Sequence, residues 1–110
     1  MMLLTKQLRQ QLPPLYSQEN VADPLVIGKF FTPDAQWTWY AIEFDGEDIF
    51  FGYVVGLVSE LGYFSLRELA AVCGPLGLPI ERDRFFRPCR LSEVQKGGDE
   101  YGRARSGKAG

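Results

Sequence analysis

The chain reads as an α+β domain in which short helices pack on a small antiparallel sheet. Three observations predict this. Two amphipathic segments carry their own N-caps, apolar runs follow one another through tight turns, and the strongest turn signal, Asp45-Gly46, lies between two strand-like runs. Strands joined so closely have no room for the crossover helices of a parallel sheet. We expect three to four strands and two short helices in the order α-β-β-β-α-β.

The first helix is read over "KQLRQQL", with Thr5 as N-cap and Leu4, Leu8 and Leu12 on one stripe; Pro13-Pro14 stops it. "LYSQENVADP" is polar and turn-rich, a connector ending at Pro24. "LVIGKFF" (25–31) is strand-like and "TPD" punctuates it. "WTWYAIEF" (37–44) and "IFFGYVVGLV" (49–58) then flank "DGED", where a primed hairpin turn needs the positive φ that glycine tolerates. A short extended piece is expected around Gly62–Phe64. Ser65 caps "LRELAAVCG" with Glu68 completing a Ser-x-x-Glu box, and Gly74 sits where a terminating glycine belongs. A last strand is read near Ile80–Phe86. From Ser92 the chain has few apolar groups and five glycines. This divides it into a globular domain over 1–91 and a flexible polar tail over 92–110.

Composition narrows the chemistry. The 110 residues carry a net charge of −2, which gives no general attraction to nucleic acid or to anionic membrane. The balance is uneven, however. Between Phe30 and Leu66 the acids Asp34, Glu43, Asp45, Glu47, Asp48 and Glu60 face no Lys or Arg, whereas the segment from Glu81 onward is mildly basic. Histidine is absent, which removes every mechanism built on imidazole. Cys73 and Cys89 make neither a dense disulfide framework nor a four-ligand zinc site, and two buried free thiols are the simpler reading. The N-terminal stretch lacks the pattern of a signal peptide, and no run of 18 apolar residues occurs. The expected setting is cytoplasmic, with no membrane contact and no cofactor.

The 37–56 hairpin holds the candidate site. Strict alternation would put Thr38, Tyr40, Ile42 and Phe44 on a core face. Trp37, Trp39, Ala41 and Glu43 would then be exposed, with Asp45 continuing that row. Gly52 and Gly56 on the partner strand leave room for an indole to lie across them. Aromatics rimmed by acids suit a protein-binding surface, and Trp37, Trp39, Glu43, Asp45, Glu47 and Asp48 are its candidate residues. Two alternatives remain open. Phe51-Gly52-Tyr53-Val54 matches part of an RNA-binding strand signature, so Tyr53 could stack bases while Arg82, Arg84, Arg87 and Arg90 meet phosphates. Asp34, Glu43, Asp45, Glu47 and Asp48 could instead serve a Mg²⁺- or Mn²⁺-dependent hydrolase, although "DGED" lacks calcium-loop spacing and turn acids are commonly solvated. Neither cysteine sits in a CxxC motif, and "GPLGLP" lacks the Lys-Ser/Thr of a phosphate loop. No catalytic residue is assigned, and the reading favours a protein that is not an enzyme.

Four strings, "LLTKQLRQQLPPLYSQE", "KFFTPDAQWTWYAIEFDGEDIFFGYVVGL", "ELGYFSLREL" and "GPLGLPIERDRFF", together resemble a small bacterial family described only as a domain of unknown function. The resemblance spans about residues 3–92. It implies a cytoplasmic accessory protein encoded on plasmids, integrative elements and phages, and it implies no activity, cofactor or catalytic residue. On this reading the protein is a non-catalytic accessory factor that engages a protein partner.

Overall fold

A computed structural model describes residues 2–97. The architecture is α+β, but richer than the sequence suggested. In chain order the elements are α1 (Lys6–Gln11), β1 (Leu25–Val26), β2 (Gly28–Phe31), β3 (Thr38–Phe44), β4 (Ile49–Val55), β5 (Ser59–Ser65), α2 (Leu66–Ala71), β6 (Glu81–Arg82), β7 (Cys89–Arg90) and α3 (Leu91–Gln95). Five strands form an antiparallel sheet ordered β5-β4-β3-β2-β6, and β1 pairs with β7 in a separate two-stranded ribbon.

Both expected caps form. The Thr5 hydroxyl accepts the Leu8 amide at 3.1 Å, and the Ser65 hydroxyl accepts the Glu68 amide at 3.2 Å. The expected strand 25–31 is broken at Ile27, whose amide donates to Ala41, so its two halves join different sheets. The piece expected around 62–64 is a full seven-residue strand, and the strand expected over 80–86 shrinks to Glu81–Arg82. Helix α2 ends at Ala71 with an extended Val72 cap, so Gly74 is not its terminator. Gly74 instead gives its amide to Leu78 and leaves space for the Asp34 carboxylate, which accepts the Leu76 amide at 2.7 Å. Cys73 and Cys89 are free thiols, but neither is buried: Cys73 is exposed and Cys89 half-buried. Residues 91–95 form α3, all but Leu91 within the segment read as tail, and bury Leu91 and Val94; positions 98–110 lie outside the described residues.

The sheet is covered on both faces. On the first, Phe30, Phe44, Phe50 and Phe64 cluster under the leucines of the N-terminal segment and Leu69 of α2. Phe50 is the hub, with ring centroids 4.5 Å from Phe44, 5.1 Å from Phe64 and 5.6 Å from Phe30. On the second face, Val26, Tyr40 and Ile42 pack with Leu91 and Val94. The Asp23 carboxylate anchors α3 there, accepting the Ser92 amide at 2.9 Å and the Ser92 hydroxyl at 2.6 Å.

Strict alternation fails in β3. Ala41 pairs with Gly52 and Glu43 with Phe51, so Ile42 is an extra residue, a β-bulge. After the bulge Phe44 pairs with Phe50 and joins the first face, while Ile42 packs on the second. Trp39 and Ala41, expected to be exposed, pack into the first core.

Gly52 and Gly62 sit opposite each other on β4 and β5 but differ in surroundings. A Cβ on Gly52 would overlap the Tyr40 carbonyl and approach Phe64, whereas one on Gly62 would meet nothing within 4 Å. Gly52→Ala should therefore cost about 2–3 kcal/mol in urea unfolding, and Gly62→Ala should leave the midpoint close to wild type.

Candidate functional site

The hairpin acids serve as backbone acceptors. One Asp45 carboxylate oxygen accepts the amides of Glu47, Asp48 and Ile49 at 2.8, 2.8 and 3.0 Å, which ties the turn together with Gly46 at φ 92°. Asp48 accepts the Ser65 hydroxyl at 2.7 Å and the Arg67 amide at 2.9 Å, and pairs with the Arg67 side chain at 3.5 Å, so it clamps the start of α2. The amide donors of residues 47 and 48 hold the Asp45 carboxyl below the usual 3.8. The Ser65 hydroxyl, followed by the Arg67 amide, does the same for Asp48. Glu47 is exposed at the turn.

Glu43 is different. The bulge directs it to the second face, where it is 4% exposed. Its two oxygens accept the amides of Tyr16 at 2.8 Å and Gln18 at 2.7 Å, so one carboxylate draws the 15–24 connector down onto the sheet. Tyr16 there adopts φ 71°, the one described non-glycine residue in the left-handed region. Beside this contact lies a pocket of about 290 Å³ lined by Glu43, Tyr16, Glu19, Phe51, Leu61 and Tyr63 among others. The Phe51 and Tyr63 rings meet at 5.1 Å and 60°. A hydrogen bond with Tyr16, some loss of water, and the neighbouring Tyr16, Glu43 and Glu19 charges push the Tyr63 hydroxyl above its ordinary range.

The other candidates are dispersed. Trp37 stacks on Trp39 at 6.0 Å and 23°, covers Gly56 and remains 41% exposed. The indole therefore does lie across a partner-strand glycine. Eight residues separate Trp37 from Asp45, roughly 25 Å along an extended strand, so the indole and the turn acids mark opposite ends of the hairpin. Asp34 lies on the β2–β3 connection against Gly74. Among the described residues no three His, Cys, Asp or Glu side chains gather in a metal-binding arrangement. Tyr53 packs against Tyr40 at 6.3 Å in the second core. Arg82 donates to the Met2 carbonyl and Arg90 to the Asp23 carbonyl. Arg82, Arg84 and Arg87 join Lys29 around a second groove of about 320 Å³, where Asp83 is the sole acid among the described lining residues. Lys29, 3% exposed, pairs with Asp83 at 3.4 Å and lies 5.8 Å from the Tyr40 ring centroid.

A family model described as "Protein of unknown function (DUF2958)" matches residues 3–103. The chain belongs to the DUF2958 family. The resemblance read over 3–92 is thereby confirmed as a family of unknown function. No curated protein and no solved structure matches this DUF2958 chain. Among the described residues no helix is long and apolar enough to cross a membrane.

Of the pocket residues, Glu43 was singled out from the sequence, whereas Tyr16, Glu19 and Tyr63 were not. They sit in a connector and in a strand of underestimated length, and Tyr16 owes its place to a positive φ that no local pattern announces.

The folded values of Asp45, Asp48 and Asp23 are all depressed below 3.8. Their contribution to stability is therefore complete above that value and is lost as pH falls through the lower folded values. Thermal unfolding should show Tm dropping as pH is taken below about 4. Asp48→Asn should lower Tm at pH 7 and flatten that acid slope.

Proposed function

We propose that this DUF2958 protein is a non-catalytic binding module that engages a protein partner through an acidic, aromatic face. The observation that carries the reading is the pocket over β3–β5, where the buried Glu43 carboxylate meets exposed Tyr16 and Tyr63, 62% and 57% accessible. Exposed Leu61 and Val21 extend the apolar area, and Glu19 adds a charge at its border. Large aromatic rings beside charge are the usual anchors of protein interfaces. The employment of Asp45, Asp48 and Glu43 as acceptors for backbone amides favours binding over acid–base chemistry. A role as an accessory factor of mobile DNA, implied by the family resemblance, is compatible with such a module.

Immobilised protein should retain a partner from the lysate of its host in a manner sensitive to salt. Tyr63→Ala and Glu19→Lys, both at exposed positions, should abolish that retention while leaving Tm within a few degrees of wild type. A partner retained equally by both variants would overturn the reading.

One observation favours a second reading. The groove formed by Lys29, Arg82, Arg84 and Arg87 is a cationic concavity, and phosphates are its natural complement. In that case fluorescence anisotropy with short single-stranded DNA should show affinity falling steeply with salt, and Arg84→Glu with Arg87→Glu should remove it. Salt-independent or undetectable binding would exclude it.

A further inference from the structure

We propose that the pocket over β3–β5 receives one basic side chain, an arginine or a lysine, presented by the protein partner. This rests on the preceding reading of the face as protein-binding, and it specifies the chemistry that the face selects.

Charge is the first argument. Glu43 and Glu19 both line the pocket, and among the described residues its lining holds no Lys or Arg. The two amides bound to Glu43 leave carboxylate lone pairs uncommitted. A carboxylate that is 4% exposed and held by neutral donors gains most from a cation. Ring geometry points the same way. Tyr16, Phe51 and Tyr63 contribute three aromatic side chains to one small cavity, and aromatic faces attract ammonium and guanidinium groups.

Shape and rigidity complete the case. At about 290 Å³ the pocket lies at the lower end of ligand sites, suited to one long side chain. Leu61 and Val21 offer apolar walls for the methylene stem of such a residue. An apolar side chain would strip water from Glu43 without replacing it, and an anion would meet two like charges. A divalent ion would want more oxygen ligands than two carboxylates supply. The Tyr16 backbone that presents the ring is held in advance, because its amide is bound to Glu43.

The test uses the full chain labelled with ¹⁵N and titrated with N-acetyl-arginine amide or N-acetyl-citrulline amide, which has similar shape without the charge. Arginine amide should produce saturable shifts of the Tyr16, Gln18 and Tyr63 amides, and citrulline amide should bind about tenfold more weakly. Glu43→Gln would also loosen the 16–18 backbone, so Glu19→Gln and Tyr63→Leu carry the mutational test, each weakening the arginine titration. Equal binding of the two amides, or no saturable shift with arginine, would overturn the proposal. If arginine amide fails while Tyr63→Ala still abolishes partner retention, the cationic ligand is wrong and the protein-binding face stands. If retention is also indifferent to Tyr63, the face itself is wrong.

Discussion

The second face of this protein is organised by a single extra residue in β3. Without the bulge at Ile42, the alternation of the strand would send Glu43 to the first face, into the ring cluster around Phe50. There it would find aromatic rings in place of amide donors, and burying a carboxylate among them is costly. With the bulge, Phe44 completes that cluster and Glu43 meets the amides of Tyr16 and Gln18. The connector is thus fixed to the sheet by a charge-assisted contact rather than by apolar packing of its own. Gln18 then reaches on to Leu25, accepting its amide at 3.1 Å, so the contact passes along the connector to the start of β1.

The carboxylates of the hairpin are consequently of two kinds. Asp45 closes the turn through amides two to four residues on, and Asp48 seats the start of α2 through Ser65 and Arg67. Glu43 works over a sequence distance of 25 to 27 residues and ends beside a cavity. Carboxylates in one short stretch therefore hold the turn and α2 at one end and frame a surface at the other. The cationic groove formed with Lys29 and the 82–87 segment gives the molecule a second concavity of opposite sign.

Much of the fold was legible in local sequence chemistry. Thr5 and Ser65 act as the caps their positions suggest, and Asp45-Gly46 makes the hairpin turn. What could not be read depended on partners distant in the chain. Ile27 breaks the first strand because its amide pairs with Ala41, and Leu91 nucleates α3 because Asp23 and Pro24 hold its first turn. The bulge is likewise invisible, since "YAIEF" alternates as plausibly without it. That one-residue shift is why Glu43 leaves the row it would have shared with Trp37, whereas Trp39, expected at the surface, packs into a core because the N-terminal leucines cover its face. Tyr63 escaped notice because β5 carries glycine, serine and glutamate beside few apolar residues, yet pairs along its whole length with β4.

The break at Ile27 has a consequence for cooperativity. Within seven residues the chain passes from the β1–β7 ribbon, which belongs to the second core, into β2, which supplies Phe30 to the first. Neither core can dissolve without pulling on the strand that serves the other. A chain of this size with two thin hydrophobic layers could have melted one layer at a time. Threading a single continuous segment through both couples the loss of one layer to the loss of the other.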